Sequence, residues 1–173
     1  QDICFIPSGD YKSFLKKRLD TVPGDIVELD GTVVGRHDGI EYFTIGQRRG
    51  LGIAQGVPRF VIRLEPETRR VIIGPESALL RDEMRLSGVN YPLGVVPEAP
   101  VEVNVKIRYK SSEAAAVLYP SGDGAIVRFT RPQRSVTPGQ AAVFYQGDVL
   151  LGGGTIEPGV TIGVPEDQPA ATA

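Results

Sequence analysis

The run Val101-Glu102-Val103-Asn104-Val105-Lys106-Ile107-Arg108 alternates an apolar with a polar residue throughout. Successive side chains of an extended chain point to opposite faces, so this spacing predicts a strand with Val and Ile on a buried face and polar groups on a wet one. Further strands are predicted at Ala115–Tyr119, Ala125–Phe129, Ala141–Tyr145 and Val149–Leu151, with turns at Ser121-Gly122-Asp123-Gly124 and Gln146-Gly147-Asp148. Short strands in such a series predict a closed or nearly closed antiparallel barrel.

Upstream the pattern changes. Ser8-Gly9-Asp10 precedes Tyr11, Phe14, Leu15 and Leu19 at helical spacing, with Lys12, Lys16 and Lys17 between them, which predicts one short amphipathic helix ended by Pro23-Gly24. Ile26–Leu29 and Thr32–Val34 flank Asp30-Gly31, a dipeptide that tolerates the positive φ of a hairpin turn. Arg59–Leu64 and Arg70–Gly74 flank Glu65-Pro66-Glu67-Thr68 and predict a second hairpin, followed by a helical turn over Glu76–Leu80. From Leu86 to Pro100 the periodicity fades into Gly and Pro. The expected organisation is therefore mainly β: a small domain over 1–85 with one short helix and β-hairpins, a barrel over 86–157, and a disordered Pro-rich tail over 158–173.

With 21 Gly and 14 Pro, composition favours strands and turns over helices. No apolar stretch approaches the roughly 18 residues of a membrane span. A single Cys cannot close an internal disulfide, which fits a reducing compartment and makes the cytoplasm the expected location. Formal net charge is −2, which alone argues against a generic polyanion binder. Its distribution reverses that: between Val103 and Gln140 stand Lys106, Arg108, Lys110, Arg128, Arg131 and Arg134 against only Glu113 and Asp123. That window reads equally as a positive face for a polyanion or as solvated strand-edge charge.

Gly35 to Ile53 concentrates five Gly, three Arg and the only His. Gly permits positive φ or close backbone approach to a ligand, and Arg offers planar forks of donors to phosphates and base edges. The segment is read as a loop bound to a polar chain, with Gln47, Arg48 and Arg49 as its candidate contacts. A lone His37 excludes a multi-histidine metal site and is read as a structural turn residue in preference to a substrate contact. Cys4, between Ile3 and Phe5, reads by itself as a buried inert thiol. No spaced carboxylate pair and no Walker-type loop is present, so neither acid/base catalysis nor nucleotide hydrolysis by this chain is indicated.

Taken together, Asp2-Ile3-Cys4-Phe5-Ile6, the Gly/Arg segment, Lys106-Ile107-Arg108-Tyr109 and Val136-Thr137-Pro138-Gly139-Gln140-Ala141-Ala142-Val143-Phe144-Tyr145 closely resemble the C-terminal part of the tRNA-specific 2-thiouridylases. The resemblance covers Asp2 to Glu157. It implies a six-stranded barrel like those of translation elongation factors and a catalytic Cys4 that carries persulfide sulfur. That sulfur attacks C2 of an ATP-activated wobble uridine, and a second thiol completes its release by forming a disulfide. It also implies that Arg108, Tyr109 and Gln140 touch tRNA; an Arg beside an aromatic suits phosphate pairing and base stacking, and Gln offers both donor and acceptor to base edges. ATP and the second catalytic Cys belong to the family's N-terminal pyrophosphatase domain, whose Ser-Gly-Gly-Val-Asp-Ser loop has no counterpart here. The chain is accordingly expected to be part of a larger enzyme and inactive alone. Its expected partners are tRNA and a sulfur-donor protein, with neither membrane nor DNA, and it is expected to bind no cofactor or metal itself. Many members of the family carry Trp where this chain has Tyr91, a change of packing more than of chemistry. The alternative is a non-catalytic RNA- or partner-binding barrel in which Cys4 is structural; fold alone permits either.

Overall fold

Two edge strands set the shape of the first sheet. In the computed structural model, which describes residues 18–53, 56–109 and 111–158, the chain forms two compact units that divide between Leu79 and Leu80. The first unit holds β1 (Gly24–Glu28), β2 (Val33–His37), β3 (Phe60–Glu65) and β4 (Arg70–Gly74) in the order β2-β1-β4-β3. The β1/β2 and β3/β4 pairs are the two expected hairpins. They join through a parallel pairing, with Ile26 opposite Val71 and Val27 opposite Ile72.

This order explains why β4 carries the unbroken run Val71-Ile72-Ile73. A central strand buried on both faces reads as continuous apolar sequence, not as alternation. Val71 and Ile73 join Ile26, Leu51 and Val61 in one cluster, and Ile72 is buried as well. Beyond β4, a 3-10 turn over Glu76–Leu79 buries Leu79.

The second unit is a closed barrel of β5 (Leu80–Asn90), β6 (Val101–Lys106), β7 (Ala114–Ser121), β8 (Gly124–Arg134), β9 (Ala141–Gln146) and β10 (Val149–Ile156). Its order is β10-β5-β8-β7-β6-β9, antiparallel throughout. The alternation in β6 works as expected: Val103 and Val105 are buried, whereas Glu102 and Asn104 are exposed. Met84, Leu118, Val127 and Phe144 fill the interior. Closure leaves this sheet without a free edge, which removes the usual template for strand addition.

The strands differ from expectation in three places. β5 begins the barrel at Leu80, ahead of the boundary expected at 85/86, because Leu80 pairs with Arg134 and Met84 with Val127. The first hairpin turns through Leu29, Asp30 and Gly31, so Leu29 belongs to the turn: Glu28 N–H donates to Thr32 O at 2.9 Å and Gly31 N–H to Glu28 O at 3.0 Å. β8 continues well past Phe129, but its register against β5 slips between Arg81 and Glu83. Pro132 sits opposite that irregularity, where a missing backbone donor is tolerated. The expected helix after Ser8 and the tail beyond Pro158 lie outside the described residues.

Candidate functional site

Residues 38–59 connect β2 to β3, the opposite edges of the first sheet, so the Gly/Arg segment must cross a face of that sheet. Part of its apolar side is consequently turned to the core. Leu51 is buried in the central cluster, with Ile40, Phe43 and Ile53 packed against it. Polar and apolar residues share the segment because one side of it faces the sheet.

Gln47 organises the segment. Its side-chain Oε1 accepts from Thr44 N–H at 3.0 Å, and its Nε2 donates to Arg49 O at 2.9 Å. Its backbone carbonyl accepts from Val61 N–H at 2.9 Å, while Gly46 N–H donates to Val61 O at 2.8 Å. Gly46, Gly50 and Gly52 take φ of 87, 71 and 71°, the left-handed region that favours Gly. The result exposes Arg48 and Arg49 beside a cleft of about 220 Å³ that Gly50, Gly52, Val57 and Arg59 help to line. Arg59 is held there by Glu28, Nε to Oε1 2.7 Å.

His37 ends β2 within the sheet and is 7% exposed. Its Nε2 lies 3.1 Å from Arg69 O, and since a carbonyl only accepts, that nitrogen carries the proton. The ring packs against Phe43 with centroids 5.3 Å apart. Among the described residues its Nδ1 is buried without a partner. Every contact is internal, as suits a structural residue.

In the barrel, the end of β6 and the start of β9 share one rim, because these strands pair antiparallel with Lys106 opposite Val143. Arg108 and Tyr109 leave β6 there and Gln140 enters β9 there, so the three barrel candidates come together. Tyr109 is 92% exposed, an aromatic ring presented almost wholly to solvent. Gln140 closes a turn in which its N–H donates to Thr137 O at 3.3 Å and its carbonyl accepts from Ile156 N–H at 2.8 Å. Arg108 Nη2 donates to Ser135 O and, at 3.3 Å, to Arg134 O. Burial, and then the nearby Arg134 charge, lowers the Arg108 guanidinium pKa below its ordinary value.

The expected basic window is narrower in space than in sequence. Arg128 stands on the barrel wall, paired to Glu83 at 2.9 Å and lying over the Tyr119 ring at 5.1 Å. Lys110 and Cys4 lie outside the described residues. Ser135, buried and with φ 54°, contributes a carbonyl to the rim that no sequence pattern announced. Among the described residues no group of three or more His, Cys, Asp or Glu could hold a metal ion, and no helix is long and apolar enough to cross a membrane.

Comparison with known families and proteins follows the same division. Residues 12–75 match the tRNA methyl transferase PRC-barrel domain, and residues 81–156 match the aminomethyltransferase beta-barrel domain. The chain is 51% identical over 159 residues to a tRNA-specific 2-thiouridylase MnmA from Roseiflexus sp., covering 90% of this chain and 43% of the relative. The protein of that name from Heliobacterium modesticaldum is 45% identical over 171 residues, covering 96% and 44%. That from Rhodospirillum centenum is 51% identical over 167 residues, covering 90% and 42%. The chain spans less than half the length of these relatives. By both domains, in this order, and by these relatives, the chain belongs to the tRNA-specific 2-thiouridylase family.

Proposed function

We propose that this chain is the tRNA-engaging and sulfur-carrying part of a 2-thiouridylase, the enzyme that replaces the C2 oxygen of a wobble uridine with sulfur. The observation that carries the reading is the barrel rim, where a ring 92% exposed, Tyr109, stands beside Arg108 and close to Gln140. A solvent-held aromatic is a stacking platform for an unpaired base, a nearby guanidinium attracts phosphate, and an amide reads base edges. Single-stranded loops of RNA present all three targets together. Arg48 and Arg49, exposed on the Gln47 loop, supply further positive charge to the same substrate.

Cys4 enters this reading from its Asp-Ile-Cys-Phe motif. As a thiolate it attacks the outer sulfur of a donor protein's persulfide, releases the donor thiol, and holds the sulfur as its own persulfide. The terminal sulfur then attacks uridine C2 and the adenylated oxygen leaves as AMP. A second thiol, from the family's N-terminal domain, attacks Cys4 Sγ, which breaks the S–S bond, frees the 2-thiouridine and leaves a disulfide. ATP supplies the activation; no residue of this chain is assigned to it, and a reducing cytoplasm is the setting in which the thiol stays available. Native-state alkylation followed by mass spectrometry tests the role: Cys4 should react without denaturant and carry an added sulfur after incubation with a persulfide donor. A thiol reactive only after unfolding contradicts it. This chain alone should neither cleave ATP nor thiolate tRNA, and turnover by the purified 173-residue chain would contradict that assignment.

Titration with a tRNA whose wobble base is uridine tests the binding surface. Tyr109→Ala should weaken affinity by about 1 to 3 kcal/mol, the usual worth of one base stack. Gln140→Ala should weaken it too, and both should leave the salt dependence nearly unchanged because neither removes a charge. Affinities equal to wild type for both would turn the reading toward a barrel that binds something else.

A further inference from the structure

Between Arg81 and Glu83 strand β5 advances two residues while its partner β8 advances five, from Gln133 back to Arg128. Three residues of β8 are therefore extra. Thr130, Arg131 and Pro132 are all exposed, whereas Phe129 before them is buried, so these three form a bulge. A bulge bends its strand and re-aims the side chains it carries. Pro132 fixes this one, because it has no N–H to give to a regular ladder. Register places the bulge at the rim already described: Phe129 faces Ala116 of β7, and β7 begins at Ala114, which faces Val105 of β6. Arg131 thus stands level with the end of β6, from which Arg108 and Tyr109 leave. One strand, β7, lies between β8 and β6, which puts the two about 10 Å apart.

We infer that Arg131 is a phosphate contact, presented by the bulge to the RNA chain whose unpaired base stacks on Tyr109. This rests on the reading of that rim as an RNA surface and extends it two strands round the barrel. Nucleotides of a stacked strand follow one another at about 3.4 Å, so the gap to Tyr109 is spanned within about three of them. A guanidinium fork matches two phosphate oxygens at once. Arg131 is exposed and, among the described residues, engages in no ion pair, although Asp82 and Glu113 are exposed at the same end. It gives up no internal bond when it binds. Arg128, three residues earlier on the same strand, is the contrast: Glu83 holds it at 2.9 Å and it lies over the Tyr119 ring.

The test uses the 173-residue chain, a tRNA transcript with uridine at the wobble position, and affinities measured at several salt concentrations. Arg131→Ala should lose about tenfold in affinity at low salt, the scale of a hydrogen bond made by a charged group. Its slope of log affinity against log salt should be shallower by about 0.7 to 0.9, the share of one phosphate. Arg131→Lys, which keeps the charge, should keep the slope. Arg128→Ala removes an equal charge from the same strand and should leave both affinity and slope near wild type. Should thermal melting show Arg131→Ala to be unfolded, Arg131→Gln, which keeps a polar side chain without the charge, takes its place in the comparison. An unchanged slope in the neutral Arg131 variant overturns the inference alone, and so does an equal reduction in Arg128→Ala, which marks a diffuse field with no contact at the bulge. Wild-type affinity in both Tyr109→Ala and Gln140→Ala, which leave Arg131 intact, overturns the RNA reading and the inference with it.

Discussion

A β-carbon on Gly24 would stand 1.9 Å from Arg69 O and 2.9 Å from His37 Nε2. The same carbonyl accepts the His37 hydrogen bond, so strand β1, the β3–β4 turn and the histidine leave no room there. Gly24→Ala should destabilise the chain by about 2 kcal/mol or more, the scale of forced overpacking, read as a lower denaturant midpoint. Tyr91 offers the converse case. Its ring packs on Phe144 with centroids 5.9 Å apart, and its hydroxyl is buried without a partner among the described residues. Burial raises the pKa of that phenol. Tyr91→Phe should leave stability unchanged or raise it by about 1 kcal/mol, since it deletes a desolvated unpaired group; a clear loss of melting temperature would show that the hydroxyl is satisfied in solution. The sequence marks Gly24 only as a helix terminator and cannot reveal the carbonyl beside it, because that contact comes from a turn forty-five residues away.

At the scale of elements, the β3–β4 hairpin is pinned by its own charges. Glu65 receives Arg63 Nη2 at 2.6 Å and the Thr68 hydroxyl at 2.9 Å. Burial acts to raise its pKa, but the Thr68 and Arg63 hydrogen bonds and the charges of Arg63 and Arg70 outweigh it and hold the carboxyl below its ordinary value of 4.5. A depressed pKa means the folded state favours the charged form, so the contribution is present above the unfolded pKa and is lost as pH falls through the folded one. Glu65→Gln should cost no more than about 1 kcal/mol at pH 7, as befits a partly exposed pair. That gap should close as pH drops below 4.5; a gap independent of pH would contradict the account. Elements were legible where periodicity was strong, as in β6 and β4. β5 was not: Arg81, Asp82, Glu83 and Arg85 crowd a strand that buries only Met84 and Leu86, two positions too few to register as alternation. The crossing of the Gly/Arg loop over the sheet was hidden for another reason, since it follows from the parallel β1–β4 pairing and no local pattern encodes which hairpins join.

At the scale of the whole molecule, the barrel was readable because its strands are short, regular and separated by turns, and its interior should dominate stability. Phe144 is fully buried, and Phe144→Ala should cost about 3 to 5 kcal/mol, enough to abolish most cooperative unfolding of the barrel in a calorimetric scan. The candidate site was readable by residue identity but not by role. Arg108, Tyr109 and Gln140 do share a rim, whereas Gln47 spends its amide inside its loop and Arg128 is neutralised by Glu83. Such differences depend on partners far apart in sequence. The central claim, that this rim receives RNA, is tested most directly by ultraviolet crosslinking of bound tRNA to the chain, followed by mass spectrometry of the joined peptides. The account predicts crosslinks at Tyr109 and within the Thr137–Gln140 turn, lost in Tyr109→Ala at the first position and retained at the second. Crosslinks confined to the opposite rim, in the β7–β8 and β9–β10 turns, would contradict it.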